Sequence, residues 1–171
     1  HVWLGDVGEC GLRQEVLGWL TYGVYAHPDY LQRHGQPRHP SELREHQWID
    51  RLNDLEHGVT LSHPLEGDYP LPACRSRLKV DQIILHADAI GRGQGLGLLP
   101  HWIAHRRLQH HPDSLVCCLN EWHASPQPIT LLYPHGHQPR KVVALLDHLR
   151  RTVPREWQQT LTLAPQFPVS S

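Results

Sequence analysis

The chain has no methionine and a single phenylalanine among its 171 residues, so its aromatic content rests on six tryptophans and five tyrosines. With His1 in first place, the sequence reads as a fragment or a trimmed product. Cysteine is scarce: Cys10, Cys74, Cys117 and Cys118. No two of them have C-x-x-C spacing and two are adjacent, which excludes a disulfide framework and a cysteine-rich zinc site. They read as reduced thiols of a cytosolic protein. An excess of charge is also missing. Lys and Arg number 16 against 17 Asp and Glu, for a net charge of −1. Phosphate neutralisation supplies most of the affinity of a DNA-gripping domain, so this stretch alone is a poor DNA binder. No apolar run is long enough to cross a membrane as a helix. No basic region followed by an apolar one opens the chain, so a secretory signal is not expected.

What is present suits a soluble α/β protein, with 39% hydrophobic and 19% charged residues. Strands are expected at residues 2–4, 12–17 and 19–26, with Gly18 parting the last two. Pro28 opens a short helix over 29–33, and Pro40 another over 40–45. Trp48 and Ile49 start a brief strand. Residues 51–76 read as loop with one or two edge strands. A strand over 77–80 leads to Asp81 as N-cap of a helix over 82–90. After the glycine-rich turn 91–95 come a buried strand at 96–99, a helix from Pro100 to 109, and strands at 115–119 and 128–133. Residues 139–153 carry apolar side chains at i, i+3, i+4 and i+7, the clearest helix in the chain. The stretch after Pro154 has no sustained period and reads as loose. Strands alternating with helices predict a mainly parallel sheet.

Three segments carry a resemblance. Ala26-His27-Pro28-Asp29-Tyr30-Leu31 followed by Gly35 is similar to A-S-P-x-Y-L-x-x-x-G, with Pro40-Ser41-Glu42-Leu43 as P-x-x-L. Gly93-Gln94-Gly95-Leu96-Gly97-Leu98-Leu99-Pro100 is similar to G-x-G-I-x-x-L-P. Leu131-Leu132-Tyr133-Pro134, with the helix that begins Lys141-Val142-Val143-Ala144, completes the set. In order and spacing they resemble the effector-binding domain of LysR-type transcriptional regulators. His27 departs from the pattern, where a serine is usual, and promises a weaker helix cap.

The resemblance implies a type II periplasmic-binding-protein-like α/β fold of two Rossmann-like lobes. Residues 1–18 would belong to an incomplete lobe I, 19–121 would form lobe II, 122–153 would return to lobe I, and 154–171 would be a C-terminal tail. An incomplete lobe I should leave apolar surface open. Hinges are implied at Gly18 and again at His123 and Pro128. A small-molecule effector is implied, a carboxylate or an amino-acid-like compound, bound beyond strand ends at helix N-termini. The matching residues are Val80, Asp81, Gln82, Gly93 and Gly95, with Trp19 as a wall. Each has an ordinary alternative: Asp81 as a cap only, the glycines as turn residues, Trp19 as core. Asp81 is an awkward neighbour for an anion, which leaves a neutral or amine-bearing effector open. The resemblance further implies no cofactor, no enzyme activity, a cytoplasmic location, and a dimer or tetramer in the full-length protein. DNA would be read only by an N-terminal helix-turn-helix that this stretch does not contain.

Other classes fare less well. His101 and His105 stand one helical turn apart, and His135 and His137 form a second close pair. The first pair lacks the glutamate of HExxH, so no metal site is expected and the rings read as solvated. No serine lies in G-x-S-x-G, which counts against a hydrolase. A solute-binding protein of a transport system would share the fold and is the alternative, set back by the lack of a signal sequence.

Overall fold

The computed structural model describes residues 1–4, 7–51, 58–71, 76–80, 82–155 and 157. The chain forms two compact units, one of residues 1–21 and 126–171 and one of 22–125. The expected C-terminal tail lies almost wholly outside the described residues, as do Asp81 and Cys74.

In the first unit, β1 (Val2–Leu4), β11 (Gln127–Tyr133) and β2 (Arg13–Leu20) form an antiparallel sheet in that order. Gly18 opposes Ile129 while Val16 opposes Thr130, so Leu17 is the extra residue of a bulge. The strand runs unbroken past Gly18. A β-carbon on Gly18 would stand 2.6 Å from Cβ of Trp157, so close packing accounts for that glycine. The break expected at Gly18 comes instead at Thr21, which alone separates β2 from β3 (Tyr22–Ala26).

The helix α4 (Arg140–Arg151) follows β11. Arg150 grips Glu15 of β2 with two parallel bonds, Nε to Oε1 at 2.8 Å and Nη2 to Oε2 at 2.7 Å. This fork holds the Glu15 carboxyl below its ordinary range. Leu146 is buried, whereas Leu145, Val2, Trp3 and Val16 are each at least half exposed. The open apolar surface expected of this part is therefore present.

The second unit holds a five-stranded sheet, ordered β7 (Ser76–Val80), β4 (Trp48–Arg51), β8 (Leu96–Pro100), β3, β9 (Val116–Cys118). β4 runs parallel to β7 and β8, and β3 runs antiparallel to β8 and β9. Four strands thus share one direction, and only β3, the strand entering from the first unit, is reversed. The expected mainly parallel direction holds for four of the five strands of this sheet, while both pairings made by β3 are antiparallel.

Helices α1 (Pro28–His34), α2 (Ile83–Gly91) and α3 (His101–His110) join these strands, with a 3-10 helix at Pro40–Glu45. The stretch read as loop with one or two edge strands contributes β5 (Thr60–His63) and β6 (Gly67–Pro70), which pair with each other, and β5 pairs in turn with the short β10 (His123–Ala124).

All five residues of β8 are buried, as a strand covered on both faces requires. Its core neighbours include Tyr25, Ile49, Ala87, Ile90, Ala104 and Leu115. Two imidazoles serve as helix caps. Nδ1 of His27 accepts from the Asp29 amide at 3.0 Å, so the expected weak cap is a working one. His39 caps the 3-10 helix, and Glu42 returns the bond to the His39 amide.

β8 can lie against β4 because Gly95 and Gly97 carry no side chain. A β-carbon would come 2.4 Å from the Gln47 carbonyl oxygen at Gly95, and 2.8 Å from the Ile49 oxygen at Gly97. The Leu96 amide donates to that same Gln47 oxygen at 2.9 Å. Gly95→Ala should therefore push β4 off β8 and destabilise the unit by about 2–4 kcal/mol, with an earlier urea midpoint. An unchanged midpoint would mean that β4 shifts without cost.

Candidate functional site

The expected ligand residues fall in both units, and those of the second unit lie at two places. Trp19 is half-buried in β2 opposite Pro128, and both belong to the first unit with Gly18. Val80, Gln82, Gly93, Gly95 and His123 belong to the second. Within it, Val80 ends β7 and Gln82 is the N-cap of α2, while Gly93 and Gly95 follow the other end of that nine-residue helix. At 1.5 Å per residue the two groups are separated by roughly 13 Å of helix. Gly93 closes α2 in a left-handed turn: its φ is 77°, and its amide donates to the Ile90 carbonyl at 3.1 Å. Arg33 donates to the Gly93 carbonyl at 3.3 Å. These partners give both glycines structural work at the N-terminal edge of β8.

The opposite edge of the sheet is where parallel strands deliver their carboxyl ends. The register sets Arg51 of β4 beside Val80 of β7, and Tyr22 of β3 opposite Pro100 of β8. Two helices start from this edge, α2 after Gln82 and α3 after Pro100. Neither N-cap makes a side-chain bond to its helix, and neither first turn carries an acidic residue. Amide donors and the positive ends of two helix dipoles therefore face one edge. Arg51 acts electrostatically on His86, in the first turn of α2, helping to lower its pKa, though burial is the main cause. His86 is fully buried and its Nε2 lies 2.8 Å from the Ile49 carbonyl oxygen, tying α2 to β4. Asp50, buried, precedes Arg51 in β4 and acts on His86 in the opposite sense.

His101, read from the sequence as a solvated helix-face residue, is the main side chain that was missed. Its Nδ1 lies 2.6 Å from the Tyr25 hydroxyl, and the two rings meet edge to face at 5.6 Å. The ring occupies the space above Gly23, where a β-carbon would stand 2.4 Å from Cε1. Burial, then the nearby His105 and His123 rings, push the imidazole down to about 4. Burial also raises the Tyr25 phenol above its usual value and, with it, the thiol of Cys117. At neutral pH the pair is an uncharged phenol on an uncharged imidazole. A phenol that donates to Nδ1 leaves the ring proton on Nε2, free to donate. The signal for His101 was its place directly after Pro100, at the first position of a helix. Among the described residues no cluster of His, Cys, Asp and Glu is arranged to hold a metal ion. No described helix is long and apolar enough to cross a membrane.

An α/β sheet with uncapped helix starts at one edge and a reversed entry strand defines a two-unit ligand-binding domain of the periplasmic-binding-protein type. The chain belongs to the LysR substrate binding domain family, whose profile matches residues 3–154. It is 41% identical over 157 residues to the iron-regulated virulence regulatory protein IrgB of Vibrio cholerae, across 92% of this chain and 53% of that protein. To the probable HTH-type transcriptional regulator LtrA of Klebsiella pneumoniae it is 28% identical, across 87% of this chain and 48% of the other. The fold matches full-length AphB, a virulence activator of Vibrio cholerae, with a TM-score of 0.77 at 27% identity, covering 90% of this chain and 51% of that one. It matches the regulatory domain of CrgA from Neisseria meningitidis with a TM-score of 0.74 at 20% identity, covering 90% and 75%. The chain thus spans about half the length of the curated relatives it matches. Those relatives are regulators rather than enzymes.

The depressed His101 has a consequence for stability. On acidification the unfolded chain takes up the proton first, near pH 6.5, while the folded ring waits until about 4. Stability present above pH 6.5 should be lost across that window, by up to about 1.4 kcal/mol per pH unit for this one ring. Urea unfolding at pH 7, 6 and 5 measures the slope, and His101→Gln should flatten it by one proton's worth. An equal slope in the variant would show that His101 is not held neutral.

Proposed function

We propose that this chain is the effector-sensing part of a LysR-family transcription factor that adjusts transcription in bacterial cytoplasm to the level of a small carboxylate, an amino-acid-like compound included. The observation that carries the effector class is the pair of uncapped helix starts, at Gln82 and Pro100, on one sheet edge with Arg51. A carboxylate placed there meets amide donors and two dipole ends at once. Val80 and Gln82 stay in the proposed site, and Arg51 and His101 join it. Asp81 lies outside the described residues, and its carboxylate would favour an effector that also bears an amine. Gly93 and Gly95 leave the proposed site for the structural tasks given above.

The regulatory half of the reading rests on kinship. With a net charge of −1 the chain has no basic excess for gripping phosphates. DNA would be read by a helix-turn-helix elsewhere in the full-length protein, in a dimer or tetramer. Effector binding would shift the population of conformations of the sensing domain and so change how the linked DNA-reading parts are placed. Gly18, His123 and Pro128 remain the proposed flexible points for that shift, and Trp19 a proposed ligand contact from the first unit.

A thermal-shift screen of small carboxylates and amino acids, each beside its amide, should find ligands that stabilise the chain only in the carboxylate form. Arg51→Gln and Gln82→Ala should each weaken such a hit about tenfold, or ~1.4 kcal/mol, by calorimetry. Trp19→Ala tests the first-unit contact separately. Carboxylate binding that survives both second-unit substitutions would place the effector elsewhere, and amides that bind equally well would refute the effector class.

A further inference from the structure

The second unit gathers imidazoles at one corner. Tyr22 and Gly23 begin β3, by which the chain enters the unit, and β10 is the segment by which it leaves. β10 lies against β3, and it pairs with β5 through only two residues, His123 opposite Ser62 and Ala124 opposite Leu61. The His101 ring covers the β3 backbone at Gly23. His101 and His123 thus flank the entry and exit segments from two elements, and each is half-buried, within reach of solvent protons.

We propose that His101 and His123 make this corner a proton-sensitive joint, in which a proton taken up by either ring loosens the first residues of β3 and the short strand β10. The joint shares His101 with the carboxylate site proposed above, but it answers to pH in the effector-free chain, where no carboxylate is needed.

The surroundings support this. His101 faces Tyr25 of β3, with Cys117 of β9 behind the phenol, and His105 one turn along α3. His123 is influenced by His63 of β5 and itself acts on His101. Ser62, opposite His123, donates to Asp68 of β6 at 2.6 Å. The nearby Glu121 is largely exposed and bonded to His63 at 2.9 Å, and His63 shares the face of Trp122 with His39. A positive charge on His101 therefore meets mainly imidazole, phenol and thiol. Burial disfavours the charged form of both, so the proton is accepted at the cost of local structure. A strand held by two ladder pairs belongs to the least stable elements of a unit, where that cost is expressed first.

Amide hydrogen exchange of the effector-free chain at pH 7.5 and 4.5, corrected for intrinsic rates, tests the joint. Protection at residues 22–24 and 123–124 should fall about fivefold or more relative to the central strand β8. In His101→Gln/His123→Gln the relative fall should vanish, and in His123→Gln alone it should be halved or less. Ring nitrogen shifts of the unaltered chain give an independent reading if the double variant fails to fold: both rings should titrate below free imidazole. Equal loss of protection in β8 and in the corner, a fall that persists in a folded double variant, or rings that do not titrate below free imidazole would each overturn the proposal.

Discussion

The arrangement of the second unit depends on one steric fact, the close approach of β4 backbone to β8. The oxygens of Gln47 and Ile49 occupy space that a β-carbon at Gly95 or Gly97 would fill. Because the approach is so close, His86 can reach from α2 to the Ile49 oxygen, and β4 is held between β7 and β8 without freedom to slide. A strand fixed in register delivers its end to a fixed place. Arg51 therefore ends level with Val80, and β8 hands over to α3 at Pro100 on the same edge. The meeting of two helix starts at that edge follows from backbone geometry before any side chain is considered.

Histidine then does much of the polar work of this unit in uncharged form. His27 and His39 act as acceptors at helix starts, a task usually given to serine, threonine, aspartate or asparagine. His86 is buried against a carbonyl and His101 against a phenol. An imidazole used this way offers one acceptor or donor without the desolvation penalty of a carboxylate, provided it stays neutral. The cost of that choice is paid on acidification, since every ring buried neutral becomes a place where the unfolded chain binds the proton more tightly.

Much of the fold was legible in the sequence, for identifiable reasons. The helix α4 was readable because its apolar spacing extends over twelve residues, and β8 because Leu96-Gly97-Leu98-Leu99 is continuously apolar between a glycine turn and a proline. The break after β2 was misplaced because glycine was read as a strand breaker, whereas Gly18 is where Trp157 packs against the strand. β5 and β6 were blurred because strands of four residues carry little periodicity of their own, and the other partner of β5, β10, lies some sixty residues on. The candidate site was half legible. Val80 and Gln82 could be placed by the strand-to-helix transition. His101 and Arg51 could not, because their significance comes from register across strands that are distant in sequence. The glycines of the 93–97 segment drew attention as ligand residues because glycine marks close approach in general, and the sequence does not say that the approaching group is the protein's own β4.

An anion bound as proposed would have to be selected by a chain of nearly zero net charge. Net charge governs long-range steering, whereas a bound carboxylate responds to the few groups within a Debye length of about 8–10 Å. At the carboxyl edge the described groups include two helix starts without acidic residues in their first turns, Arg51 and the buried Asp50 before it, and neutral imidazoles. The acidic residues that balance the total include Glu15, bound to Arg150, and Asp88, bound to Arg92 and Arg107. These pairs consume charge where they hold helix to strand, at Glu15 and Arg150, and helix to helix, at Asp88 and Arg107. Because the same edge carries His101 beside the entry strand, its potential becomes more positive as pH falls. Anion affinity and strand stability at this edge then move in opposite directions under acid: a protonated corner attracts a carboxylate more strongly while holding its own strands less firmly.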